Sequence, residues 1–131
     1  MKKFTFVVAL AIVLLGNIAI HAEAVNKGSY GYMYITKTGD YLSASLTKIN
    51  PYDAASNLVD SVDGGTLVSW IENTSGTNIT SKVSYSEPAP VYMLYNKSTL
   101  GATRLKISTK LTNMKKTGTF GGWSPDYTTT Y

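Results

Sequence analysis

The sequence predicts an all-β fold, an antiparallel β-sandwich of about seven or eight short strands that follows a cleaved signal peptide. Three observations carry that expectation. Apolar and polar residues alternate with period two from Ser29 onward, and turn-forming clusters recur at roughly ten-residue spacing. No window repeats apolar residues at three-and-four spacing over the length of a helix.

The first 24 residues read as an export signal: Lys2 and Lys3 form a positive start, an apolar run follows from Phe4 to Leu15, and Ala22-Glu23-Ala24 offers a small-residue cleavage site. Gly16 and Asn17 interrupt the run, which falls short of the roughly 20 residues a membrane span needs. Removal is therefore expected rather than anchoring, and with no cysteine in the chain no lipid can be attached through one. Residues 25–131 are then expected to form a single secreted, extracellular domain, large enough to bury a core of its own.

That portion carries ten Lys or Arg and seven Asp or Glu, a formal charge of +3. The cations are spread along it rather than clustered, so the basic stripe of a nucleic-acid binder is absent, although anionic envelopes would still attract it. With no cysteine, packing has to do what disulfides do in many small exported domains.

The elements follow from the pattern. Tyr30, Tyr32 and Tyr34 alternate with Gly31, Met33 and Ile35 in a first strand that ends at Thr38-Gly39-Asp40. Leu42, Ala44 and Leu46 share one face of a second strand, opposite Ser43, Ser45 and Thr47. Asn50-Pro51-Tyr52-Asp53 is a turn, because proline presets one dihedral and the flanking side chains bond their own backbone. Ala54 to Val62 reads as a helical turn or an irregular crossing loop that closes at Asp63-Gly64-Gly65. Leu67, Ser69 and Ile71 alternate with Val68 and Trp70, Asn73 to Asn78 turns the chain, and Ile79, Val83 and Tyr85 answer in phase, which predicts a hairpin. Pro88 and Pro90 predict a crossover between sheets, and the apolar run Val91–Tyr95 a strand covered on both faces or one lying centrally in a sandwich. Leu105 and Ile107 point inward from the next strand, and Thr117–Trp123 is the last one before Ser124-Pro125-Asp126. The glycines at 28, 31, 118, 121 and 122, interleaved with aromatics, suggest rings lying over glycines of a neighbouring strand.

The only histidine, His21, lies within the signal, so the rest of the chain has neither imidazole nor thiol. Triad hydrolysis and Cys/His zinc sites are thereby disfavoured, and no phosphate-cradling glycine loop is present. No catalytic residue, metal or cofactor is expected. The carboxylates at 40, 53, 60, 63, 72, 87 and 126 fall mostly beside turn residues, where they are expected to cap backbone and stay solvated rather than act as a glycosidase pair. Asp53, Asp60 and Asp63 lack the alternate-position spacing of a calcium loop. Asn73, Asn78 and Asn96 each begin a glycosylation-type triplet, which reads here as turn chemistry.

Ten tyrosines and two tryptophans are the remaining signal. Trp70 and Trp123 are expected to pack, given the area an indole buries. Tyr30, Tyr32 and Tyr34 are the candidate ligand-binding face, with packing the competing use of the same stripe.

The run Leu100-Gly101-Ala102-Thr103-Arg104-Leu105-Lys106, with Gly118-Thr119-Phe120-Gly121-Gly122-Trp123-Ser124-Pro125-Asp126 beyond it, resembles the ending of a family of small exported Gram-positive proteins of uncharacterised function. The resemblance covers about the last thirty residues and implies a β-sandwich, with no catalytic residues to carry over. In layout the chain also resembles bacteriocins of the lactococcin 972 type, which are likewise cysteine-free and tyrosine-rich. The expected function is a secreted non-enzymatic binding protein acting at a bacterial cell surface, a bacteriocin-like antagonist being one form of it, with a cell-envelope component or another protein as partner. The alternative is a stand-alone carbohydrate-binding module that uses the tyrosine face.

Overall fold

A computed structural model describes residues 26–36, 39–109 and 116–127. The expected signal, Thr38 of the first turn and the connection at 110–115 lie outside the described residues. The described chain is all-β, with nine strands: β1 (Gly28–Ile35), β2 (Asp40–Leu42), β3 (Leu46–Lys48), β4 (Ala55–Asp63), β5 (Leu67–Asn73), β6 (Val83–Tyr85), β7 (Ala89–Met93), β8 (Gly101–Thr109) and β9 (Thr117–Ser124). They form two antiparallel sheets, one ordered β1-β9-β4-β7 and the other β2-β8-β5-β6, with β3 also on β8. One core lies between them, with Ile35, Val59, Val91, Met93 and Trp123 from the first sheet and Leu67, Ile71, Leu105 and Ile107 from the second.

Where alternation is unbroken, the inward set is the expected one: Leu67, Ser69 and Ile71 on β5, Leu105 and Ile107 on β8. The expected turns at Asn50–Asp53 and Asn73–Asn78 form. The Asn50 side chain accepts the Tyr52 N–H at 2.9 Å, and the Asn73 side chain accepts those of Ser75 and Thr77, both at 2.9 Å. Pro88 lies in the crossover between β6 and β7, while Pro90 is tolerated inside β7 because β7 is an edge strand.

Three expectations change. The stretch Ala54–Val62, read as a helical turn or crossing loop, belongs almost wholly to β4 (Ala55–Asp63), a nine-residue strand between β9 and β7. Its polar residues hid it, since Ser56 and Asn57 are fully buried and break the apolar pattern. The single strand expected around Leu42–Leu46 is two, because Ser43 replaces a backbone rung: its N–H donates to the Leu105 carbonyl and its Oγ accepts the Leu105 N–H, both at 2.9 Å. The break shifts the phase, so Tyr41 and Leu46 pack on the core while Leu42 is exposed. Of the Val91–Tyr95 run only Val91–Met93 is strand, the end of edge strand β7 rather than a central one, with Val91 and Met93 buried and Tyr92 exposed.

Two buried polar junctions join the sheets. Asn57 of β4 accepts from the Tyr30 hydroxyl at 2.5 Å and donates to Ser69 Oγ at 3.1 Å and the Tyr85 hydroxyl at 3.3 Å; Ser69 and Tyr85 bond each other at 2.6 Å. The second overturns the expectation that the carboxylates stay solvated. Asp126 is fully buried, and its Oδ1 lies 3.0 Å from the equally buried Lys48 Nζ. Lys48 also donates to the Asp53 and Pro125 carbonyls, while the Asp126 carboxylate accepts the Ile49 and Asn50 N–H groups at 3.0 Å each.

Removing one ion of a buried pair strands the other, so Lys48→Met is expected to cost about 3–5 kcal/mol in urea unfolding, and an unchanged midpoint would contradict this account of the junction. Burial pushes the Tyr85 hydroxyl up to about 12 from 10.0. A raised folded-state value means the unfolded chain releases its proton first, so the contribution is intact below pH 10 and is lost as pH rises toward 12. Relative to Tyr85→Phe, the native chain should lose about 2–3 kcal/mol of stability across that window. Parallel stability–pH curves for the two proteins would refute the assignment.

Candidate functional site

The tyrosine stripe does not form as one face. Tyr30 pairs with Gly121 and Met33 with Thr119, so Gly31 and Tyr32 together oppose Phe120 in a β-bulge. The extra residue reverses the phase of β1. Tyr30, 5 % exposed, is a core residue bonded to Asn57, whereas Tyr32 and Tyr34, each 51 % exposed, stand on the outer face of the four-stranded sheet. On the other flank of β9, β4 shifts register between Val59 and Ser61, so bulges border Phe120 on both sides.

Phe120 joins the two exposed tyrosines. Its ring lies 6.4 Å from that of Tyr32, which meets Tyr34 edge to face at 5.4 Å and 86°. Gly118 makes room for the cluster, because a Cβ there would collide with the Tyr32 hydroxyl and touch the Tyr34 ring at 3.2 Å. This is the expected placement of rings over glycines, and Tyr30 likewise lies against Gly121. The Tyr32 hydroxyl donates to Asp63 at 3.3 Å, and Lys116 Nζ sits 4.3 Å from the Tyr34 ring centre. Its bond to Tyr34, partial desolvation and the Asp63 carboxylate push the Tyr32 hydroxyl up to about 12, so it remains a hydrogen-bond donor throughout the physiological range.

A second aromatic pair stands toward the other end of the same sheet, where Tyr92 of β7 and Tyr127 beyond β9 lie 5.2 Å apart. Ser56 aligns with both Tyr92 and Ser124, which places Tyr92 four residues along from the level of Phe120, about 13 Å at the rise of a strand, and two strands to the side of β9, about 10 Å at the spacing of neighbouring strands. Between the clusters run Gly122, Leu58 and Pro90, paired across the strands.

The other sheet presents a charged outer face. Trp70, packed as expected, is covered by Lys82 at 4.2 Å and donates to Glu72 at 3.0 Å, while Lys106 lies 3.4 Å from Glu72 and 3.6 Å from Asp40. Asp40 and Glu72 are thus brought together, with a lysine bridging them and one already engaged with the indole. No group of three or more His, Cys, Asp or Glu placed to hold a metal occurs among the described residues.

Phe120, Tyr92 and Tyr127 were not among the candidates read from the sequence. The alternation of glycine and aromatics from Gly118 to Trp123 pointed toward Phe120; nothing local marked Tyr92 or Tyr127, which meet only through pairing on β4. Comparison with protein-family models finds no match, and comparison with curated proteins finds no relative.

Gly118 and Gly121 of β9 should respond differently to alanine. At Gly121 the new Cβ would strike the Leu58 backbone carbonyl, so Gly121→Ala is expected to destabilise by about 1–3 kcal/mol in thermal or urea unfolding. At Gly118 it meets chiefly a movable side chain, so Gly118→Ala should fold with a smaller loss while shifting the Tyr32 ring resonances. Equal losses at both positions would show that backbone contact is not what separates them.

Proposed function

We propose that the chain is a secreted, non-enzymatic protein that binds at the bacterial cell surface, with wall glycan as the ligand of the outer face of its four-stranded sheet. The observation that carries this reading is the pair of outward aromatic clusters, Tyr32–Tyr34–Phe120 and Tyr92–Tyr127, on the outer face of one sheet. Two aromatic clusters set apart by about 13 Å along the strands and about 10 Å across them suit an extended oligosaccharide rather than a single sugar, since each ring can cover the apolar side of one pyranose while neighbouring hydroxyls meet tyrosine, Asp63 and Lys116.

The export signal, the +3 charge of residues 25–131 and the lack of imidazole and thiol beyond His21 support the same reading. Engagement of Asp126 with Lys48, and of Glu72 with Trp70 and Lys106, argues for structural carboxylates over acid–base catalysts. The likeness to small exported Gram-positive proteins agrees with it, and an antagonist of the lactococcin 972 kind would use this face to reach its target.

Residues 25–131 should co-sediment with purified Gram-positive cell wall, and the interaction should survive high salt because stacking is not an ionic contact. Tyr32→Ala, Tyr34→Ala and Phe120→Ala combined should weaken it about tenfold or more. Undiminished binding by the folded triple variant would remove the platform from the mechanism, and absence of binding by the native protein would end the glycan reading.

A further inference from the structure

A second exposed apolar surface lies at the end of the sandwich away from Tyr34. Loop 49–54 joins β3 to β4 and loop 94–100 joins β7 to β8. Ile49, Tyr52, Leu94 and Leu100 are all exposed on them, Tyr52 to 90 %. Lys48 pairs with Gly101, which sets Ile49 across from Leu100, while Tyr52 and Leu94 line a cleft of about 380 Å³ between the same two loops. Lys97 and Asp53 also line it.

Loops of this length ordinarily carry polar residues outward or fold apolar ones back. Here the base of both loops is tied down. The buried Asp126 carboxylate holds the Ile49 and Asn50 N–H groups, Lys48 Nζ holds the Asp53 carbonyl, and the Tyr95 hydroxyl donates to the Pro125 carbonyl at 2.8 Å. The ionic junction therefore holds the loops in a shape that keeps four large apolar side chains in water.

We infer that this tip inserts into the interfacial layer of an anionic lipid bilayer. The two loops span 13 residues, fewer than the roughly 20–30 a side of a stable protein interface, which argues against a second copy of the chain as the occupant. Three of the four apolar groups are aliphatic and offer no ring for a sugar to stack on. Their arrangement matches the depth profile of a lipid interface instead: Ile49, Leu94 and Leu100 enter the acyl boundary, Tyr52 brings a hydroxyl to the headgroup level, and the Lys97 stem extends its ammonium to the phosphates. The +3 charge of residues 25–131 steers the molecule toward an anionic surface, with Asp53 the opposing charge beside the cleft. This surface shares no residue with the aromatic sheet face, so either can fail alone.

The native absence of cysteine makes site-specific labelling direct. Residues 25–131 carrying Tyr52→Cys labelled with an environment-sensitive fluorophore are mixed with phosphatidylglycerol vesicles, and Ser84→Cys on the outer face of β6 serves as the control position. Tip insertion predicts a blue shift at position 52, quenching there by brominated acyl chains, and neither effect at 84. In sedimentation with the same vesicles, Leu94→Ser combined with Leu100→Ser should reduce binding at least tenfold without changing the unfolding midpoint or wall binding, while the Tyr32, Tyr34 and Phe120 triple alanine variant should retain vesicle binding. An unshifted label at 52, equal signals at 52 and 84, or vesicle binding unaffected by the two serines would overturn the inference. So would a concentration-dependent dimer abolished by those serines, which would give the tip to a second copy of the chain.

Discussion

Burying Lys48 against Asp126 is costly, and the chain around the pair is built to sustain it. Taking an ammonium and a carboxylate out of water costs several kcal/mol for each ion, and their mutual attraction recovers that only when the remaining hydrogen-bonding capacity is filled. Both ions meet that condition. The three protons of Lys48 reach Asp126, the Asp53 carbonyl and the Pro125 carbonyl, and the carboxylate takes two backbone N–H groups besides the lysine. The partners come from β3, the loop after it and the chain just beyond β9, so the pair clamps the end of one sheet to the other at a place where the loops hold too few inward apolar groups to do so.

The Asn57 junction acts similarly nearer the middle of the core. A buried amide needs partners in several directions, and Tyr30, Ser69 and Tyr85 supply them from three other strands. Such a network fits only one relative position of the two sheets, so it specifies registry more than it adds stability. In a chain without disulfides, these two junctions take the place of covalent staples, and the apolar core supplies the driving force around them.

Strand β9 links the core to the surface. Its glycines let Tyr30 settle inward against Gly121 and Tyr32 outward over Gly118, and the bulge between these tyrosines turns one stripe into two. The same feature that completes the Asn57 network on the inside therefore raises an aromatic cluster on the outside. With the charged residues gathered around Trp70 on the opposite sheet, the sandwich has one aromatic flank, one ionic flank and one apolar tip.

Period-two alternation, turn residues and the absence of helical spacing were enough to establish an all-β chain, because these are local consequences of side-chain direction and backbone dihedral preference. Composition also established that no thiol is present and that no imidazole follows His21. Which face a residue occupies was legible only where pairing is regular, as on β5 and β8. One inserted residue at Gly31–Tyr32 and one serine rung at Ser43 each reversed the pattern, and neither leaves a mark in a single strand because a bulge is defined by what lies opposite it. For the same reason Ala55–Asp63 did not look like a strand until its buried Ser56 and Asn57 had partners, and Asp126 looked like a solvated turn residue although Lys48, 78 positions away, makes it the anchor of an end. The sequence by itself determined the kind of elements and their chemistry. Tertiary structure alone decided which polar groups are paired in the interior and which aromatics are left facing out, since both depend on contacts between residues far apart in the chain.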